Sequence, residues 1–247
     1  MEEPLMQFEE FCNSFHELTG RKDKGPTFFQ EGQALLSELL KDRQWFLDFL
    51  QKFIMDTSFR EQQKPSRWLN EYTVYRSPQG SFVILAYIWE PRQIDVIHDH
   101  NSWGILGTLS GSLRERKYRR TDDGKRDGYA ELEEISNNMM GPGGTTFVMP
   151  LDKGIHQLEN FEGYSVSINI YGKSVRKGYL NYYDPENSTV TRTYVYSLHK
   201  AALAIRTLGY MNCDVSKSIL QKALEQSSDD ILKKEMDLTL ARSESGN

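Results

Sequence analysis

Between about Tyr72 and Leu198, hydrophobic residues recur at every second position in short runs: "SFVILAYIW", "WGILGTLSGSL", "TTFVMP", "YSVSINIYG" and "TRTYVYSL". Gly, Pro, Asn and Asp punctuate the runs. A period of two places alternate side chains on opposite faces of a strand. Many short strands separated by turn residues predict a sandwich or barrel. Helical spacing is confined to the two ends. Leu5, Phe8, Phe11, Cys12 and Phe15 recur three or four apart, as do Leu35, Leu36, Leu39 and Leu40, and then Phe46, Phe49, Leu50 and Phe53. "TGRKDKGPT" separates the first helix from the second. Beyond Lys200 the helical pattern returns, with Asp214 or Ser216 as a cap for "KSILQKALEQ" and Ser228 or Asp229 for "ILKKEMDLTLAR". The expectation is a single domain over 1–247: helices over 1–60, a barrel over 70–198 and a helical extension over 199–247. A chain of 247 residues is long enough to bury one substantial core.

The chemistry concentrates at three histidines. His98 and His100 in "VIHDHNSWGILGTLSG" are two apart, so a strand turns both imidazoles to one face and Asp99 to the other. His156 follows in "PLDKGIHQLEN". Neutral imidazoles ligate iron, zinc, copper and nickel, so the trio predicts a metal site inside the barrel, and an enzyme. His16 and His199 stand alone and read as structural.

Other function classes lose support. A net charge of −5 gives no reason to expect nucleic acid as a partner. The densest basic run, "RERKYRRTDDGKRDG", reads as a solvated hairpin turning at "DDGK". Two cysteines far apart, Cys12 and Cys213, make no disulfide framework and suggest a reducing compartment. No apolar run approaches the roughly 18 residues that span a bilayer, and "MEEPLMQFEEF" has no signal-peptide core. A soluble cytoplasmic protein, monomeric or a small homo-oligomer, is expected.

"HDHNSWGILGTLSG" resembles the first cupin motif, and "GTTFVMPLDKGIHQLEN" the second, with Gly144, Pro150, Gly154, His156 and Asn160 in order. The resemblance implies a mainly β fold: a cupin double-stranded β-helix, or jelly-roll barrel, with N-terminal and C-terminal α-helices. The cupin glutamate that follows the histidine pair is absent, since Gly104 and Ile105 stand in its place. An uncharged three-histidine set resembles that of the thiol dioxygenases, the cysteine dioxygenase-like family. Arg76 in "YTVYRSPQG" matches that family's substrate-carboxylate arginine. Ser167 and Tyr171 match the ends of its Ser-x-His-x-Tyr strand, and Gly104 stands where mammalian members have cysteine and bacterial members usually glycine. The match covers about residues 70 to 200. It departs at Asn169, where the family has histidine.

The resemblance implies iron(II) at His98, His100 and His156, a set that also accommodates zinc or nickel. It implies as substrates O2 and a small carboxylate-bearing thiol such as cysteine or 3-mercaptopropionate, oxidised to the sulfinate. Arg76 is expected to bind the carboxylate, Tyr171, Ser167 and Asn169 to serve catalysis, and Trp103 and Met149 to wall the pocket. An asparagine cannot carry a proton as histidine does, so the substrate can differ from cysteine. Two other readings fit the same histidines. One is a different three-histidine cupin enzyme, either a carbon–carbon-cleaving dioxygenase or a zinc hydrolase or isomerase. The other is a non-catalytic cupin that senses a small ligand.

Overall fold

The computed structural model describes residues 6–21, 24–63 and 68–245. Four helices come first: α1 (Phe8–Gly20), α2 (Pro26–Leu39), α3 (Gln44–Met55) and α4 (Thr57–Glu61). Leu5, expected in the first stripe, lies outside the described residues. Eleven strands follow among the described residues: β1 (Glu71–Arg76), β2 (Phe82–Trp89), β3 (Ile97–His100), β4 (Gly104–Ser110), β5 (Leu113–Arg120), β6 (Leu132–Met140), β7 (Thr145–Val148), β8 (Leu151–Asn160), β9 (Ser165–Gly172), β10 (Tyr179–Asp184) and β11 (Thr189–Tyr194). Three helices close the sequence: α5 (Tyr196–Met211), α6 (Asp214–Gln226) and α7 (Asp230–Ser245).

The strands form two sheets, ordered β1-β2-β9-β4-β7 and β11-β10-β3-β8-β5-β6. The registered pairs within them are antiparallel. Between the sheets lies a core of Leu85, Tyr87, Trp89, Leu106, Leu113, Met140, Val148 and Leu158, with Val83, Trp68 and Tyr171 against it. The intervening residues of β2, β4 and β9 point the other way. There Ile84, Ala86, Ile105, Ile168 and Ile170 meet Phe11, Phe15, Leu36 and Leu39 of the helices. Gly107 permits this contact, because a Cβ on it would meet Leu40 Cδ1 at 2.5 Å. The far face of the six-stranded sheet carries a smaller cluster of Ile97, Tyr118, Ala130, Ile155 and Tyr183.

The chain divides into two compact units, residues 1–64 with 68–192, and residues 65–67 with 193–247. The second has its own core of Ile205, Leu220 and Met236, flanked by Leu208, Leu224, Leu232 and Leu240. Its buried Glu235 accepts hydrogen bonds from Tyr194 Oη at 2.6 Å and Arg206 Nε at 2.7 Å. No helix among the described residues is long and apolar enough to cross a membrane.

Three local expectations need correction. "TRTYVYSL" is strand only as far as Tyr194, since Val195 caps α5 and Tyr196 opens it. The N-cap of α6 is Cys213, whose backbone N–H donates to Ser216 Oγ at 3.0 Å, so neither Asp214 nor Ser216 is the cap. For α7, Asp229 of the two expected residues is the cap, accepting from the N–H groups of Ile231 and Leu232. The basic hairpin does turn at Asp122–Gly124, but Glu115 and Tyr118 on β5 are buried rather than solvated.

Candidate metal centre

His98 and His100 are brought together with His156 by strand pairing. On β3, Ile97 belongs to the outer cluster, so the alternation turns His98 and His100 inward. Beside it on β8, Ile155 is outward and His156 inward, and His156 lies directly opposite His98 in the register. The register then slips, so that His100 stands opposite Leu151. The three rings form a nearly equilateral triangle, with centroids 4.8, 4.8 and 5.0 Å apart. All three histidines are buried, His156 to 1 % exposure.

Hydrogen bonds on the far side of two rings fix which nitrogens converge. His98 Nδ1 donates to the carbonyl of Val96 at 2.9 Å, leaving its Nε2 with a lone pair. His156 Nδ1 donates to Glu115 Oε1 at 2.9 Å. Its Nε2 faces His100 Nε2, also at 2.9 Å. Burial pushes the imidazoles of His100 and His156 well below the usual histidine range, and neighbouring histidines add to the effect. Buried imidazole nitrogens gathered this closely are a donor set for a divalent cation. The three ligand atoms all lie within 4.8 Å of one another. These histidines fit a metal ion.

The polar surroundings extend beyond the ligands. Glu115 (2 % exposed) accepts from Thr146 Oγ1 through its second carboxylate oxygen at 2.8 Å. Lys117 Nζ lies 3.6 Å from that oxygen and donates to Thr146 Oγ1 and the Phe147 carbonyl, each at 2.8 Å. Burial raises the Glu115 carboxyl above the usual range, with Lys117 opposing. Trp68 packs on His98 with ring centroids 5.2 Å apart. Asp99, on the outward face, is buried and accepts from Arg176 Nη2 at 2.5 Å and from the Asn181 side chain at 2.9 Å, anchoring β3 to β10.

The residues expected from the sequence sort into three groups. Tyr171 reaches the histidines, and Asn169 reaches Tyr171. The Tyr171 ring stacks on His100 at 5.4 Å, and its hydroxyl accepts from Asn169 Nδ2 at 3.2 Å. Burial holds the Tyr171 phenol well above its usual range, so it is a proton-bearing group. Gly104 lies directly opposite Tyr171, and a Cβ there would meet the Tyr171 ring at 2.6 Å. Ser167 is deeper, accepting from Trp89 Nε1 at 3.1 Å.

Arg76 forms the second group, on the same face but at the edge. A bulge between Thr73 and Tyr75 shifts the register by one residue, so Arg76 opposes Val83, which in turn opposes Tyr171. Directly opposed residues share a face. Arg76 is exposed and donates to Thr73 Oγ1 at 3.2 Å.

Trp103 and Met149 form the third, and the expectation that they wall the pocket is corrected. Gly104 faces Tyr171 and Val148 belongs to the inner core, so the alternation turns Trp103 and Met149 outward. Trp103 packs on Phe28 and Phe15 with centroids 4.9 and 6.3 Å apart, and Met149 joins the same helical cluster. Glu115, Lys117 and Thr146 are what the sequence reading missed. A signal existed: counting by two from Leu113 puts Glu115 and Lys117 on the face of the core.

No family model matches the chain. Solved structures that resemble part of it include the Cupin_2 domain of an XRE family transcriptional regulator from Enterobacter cloacae. It is 11% identical over 42% of this chain and 94% of that one, with a TM-score of 0.30. Hydroquinone 1,2-dioxygenase PnpCD, in complex with Cd2+ and 4-hydroxybenzonitrile, is 10% identical over 48% of this chain and 71% of that one, with a TM-score of 0.34. A variant of oxalate decarboxylase from Bacillus subtilis is 16% identical over 52% and 30%, again with a TM-score of 0.34. Likenesses of this size assign no residue and no reaction. The mainly β fold with flanking helices expected from the sequence is the one observed: two antiparallel sheets that carry a buried group of three histidines able to hold a metal ion.

Proposed function

We propose that this chain is a non-haem iron(II) thiol dioxygenase that converts a small carboxylate-bearing thiol, R–SH, and O2 to the sulfinic acid R–SO2H. The observation that carries the reading is the neutral three-histidine triangle stacked against Tyr171, with the bare backbone of Gly104 where a carboxylate ligand would otherwise stand. Iron(II), when held by His98, His100 and His156, would supply the site for thiolate and O2 and the electrons they exchange.

The chain's own groups divide the remaining work. Tyr171 keeps its proton and, because its oxygen already accepts from Asn169, is free to donate that proton toward the space above His100. Arg76, two strands or ~10 Å from Tyr171 across the sheet, swings from Thr73 to pair with the substrate carboxylate through its planar fork. Trp68 and Tyr87 supply apolar surface that keeps water from the site. Asn169 cannot relay a proton as a histidine would, which favours a thiol other than cysteine.

Oxygen uptake by the iron-loaded protein tests the reading against cysteine, 3-mercaptopropionate, cysteamine and mercaptosuccinate. Uptake matched by one sulfinate per O2 with a carboxylate-bearing thiol is the expected result. No uptake across the panel with iron bound would overturn it and favour another three-histidine cupin chemistry, or ligand sensing without turnover.

A further inference from the structure

The missing cupin carboxylate returns one bond further out. Glu115 comes from β5, on the opposite flank of β8 from β3, and touches none of the converging ligand nitrogens. It meets the remote nitrogen of His156 at 2.9 Å. A carboxylate this deeply buried is costly unless its oxygens are engaged. Both are: one by His156 Nδ1–H, the other by the hydroxyl of Thr146, with the Lys117 ammonium 3.6 Å away. His98 Nδ1 donates instead to the Val96 carbonyl at 2.9 Å, with the Asp95 carboxylate farther off at 3.8 Å. The three ligands are therefore inequivalent.

We propose that Glu115 is a positioning residue for the metal. It locks His156 in the tautomer that presents Nε2 and, through that hydrogen bond, lends the centre the negative charge that a ligand carboxylate would supply directly. Such an outer partner raises ligand basicity and fixes ring orientation. The inference rests on the reading of the histidines as a metal site but not on any substrate. Lys117 and Thr146 complete the device, since Lys117 crosses to β7 and closes the barrel behind His156.

The test compares wild type with Glu115→Gln, which keeps the size and an accepting oxygen but loses the charge. Cobalt(II) affinity by chelator competition, the Fe(III)/Fe(II) midpoint potential and the unfolding temperature of the metal-free protein are measured for each. The expected result is a cobalt(II) affinity weakened about 10–100-fold, in the range found for such outer partners. A raised potential is expected with it, and the metal-free protein should unfold at the wild-type temperature or higher. Glu159→Gln, on the neighbouring Arg114 pair, should change neither affinity nor potential. Unchanged affinity and potential in Glu115→Gln would make Glu115 a mere counter-ion of Lys117 and overturn the proposal alone. A wild-type protein that binds no metal would overturn the metal-site reading and this inference together. Should Glu115→Gln fail to fold, imidazole 15N shifts of zinc-loaded wild type decide. A proton on His156 Nδ1 supports the inference, and a proton on Nε2 ends it.

Discussion

Arg76 shows how much a single residue can be read from sequence and where such reading stops. Its proposed role as a carboxylate partner comes from the family resemblance of the stretch "YTVYRSPQG". Its facing did not, because the bulge at Val74 reverses the alternation between Thr73 and Tyr75 and leaves no mark in the residue pattern. If Arg76 anchors the substrate, Arg76→Ala will raise KM for 3-mercaptopropionate at least tenfold, about 1.4 kcal/mol, and barely alter it for cysteamine, which lacks the carboxylate. Equal losses for both would remove Arg76 from that role. Asn169 was legible in the opposite way. Its alternation with Ile168 and Ile170 put it on one face with Ser167 and Tyr171, the family resemblance favoured the inside for that face, and Asn169 is indeed buried with its amide donating to Tyr171. Trp103 and Met149 failed because aromatic and thioether side chains suit a pocket wall and a helix interface equally, and only strand parity distinguishes the two.

At the scale of elements, the pairing of β3 with β8 creates the site. His98 opposes His156 and the register then slips, so three rings from two strands reach one point. The histidine spacing revealed β3, and the hydrophobic period revealed β2, β4 and β9, because buried strands alternate cleanly. β5 and β6 were harder: their charged residues mask the alternation, which is why Glu115 was passed over. Crowding and burial of the rings have a pH consequence. Burial disfavours the imidazolium, so His100 and His156 must be carried below the usual histidine range before they take a proton. In metal-free protein both will stay neutral at pH of about 6, where a solvated histidine is mostly protonated. Imidazole 15N shifts followed down from pH ~8 would show this, and ordinary midpoints near 6.5 for both rings would contradict it.

At the scale of the molecule, a mainly β barrel with helices at both ends was legible, because a period of two and a period of 3.6 differ over long stretches. The division near residue 192 was not. Nothing in "TRTYVYSL" marks the point where contacts turn from strands to helices. Nor did sequence show that the second unit is pinned by a buried acid. Glu235 is buried and accepts from Tyr194 and Arg206, and removing it takes from both the carboxylate they share. Glu235→Ala should destabilise that unit by about 3 kcal/mol, read as a lower denaturant midpoint for helical circular dichroism. A wild-type midpoint would show that the pair contributes nothing.

The bulge at Val74 has a consequence for descent. The metal ligands sit on β3 and β8, each held between two neighbours, whereas Arg76 rides on β1, which has one. A substitution that closed the bulge without loss of a residue, so that Val74 paired with Ile84, would move Arg76 across from Phe82, on the side of the helices. Under the proposed reading, a lineage carrying this barrel can lose or regain its preference for acidic thiols at that one edge position while its metal centre passes on untouched.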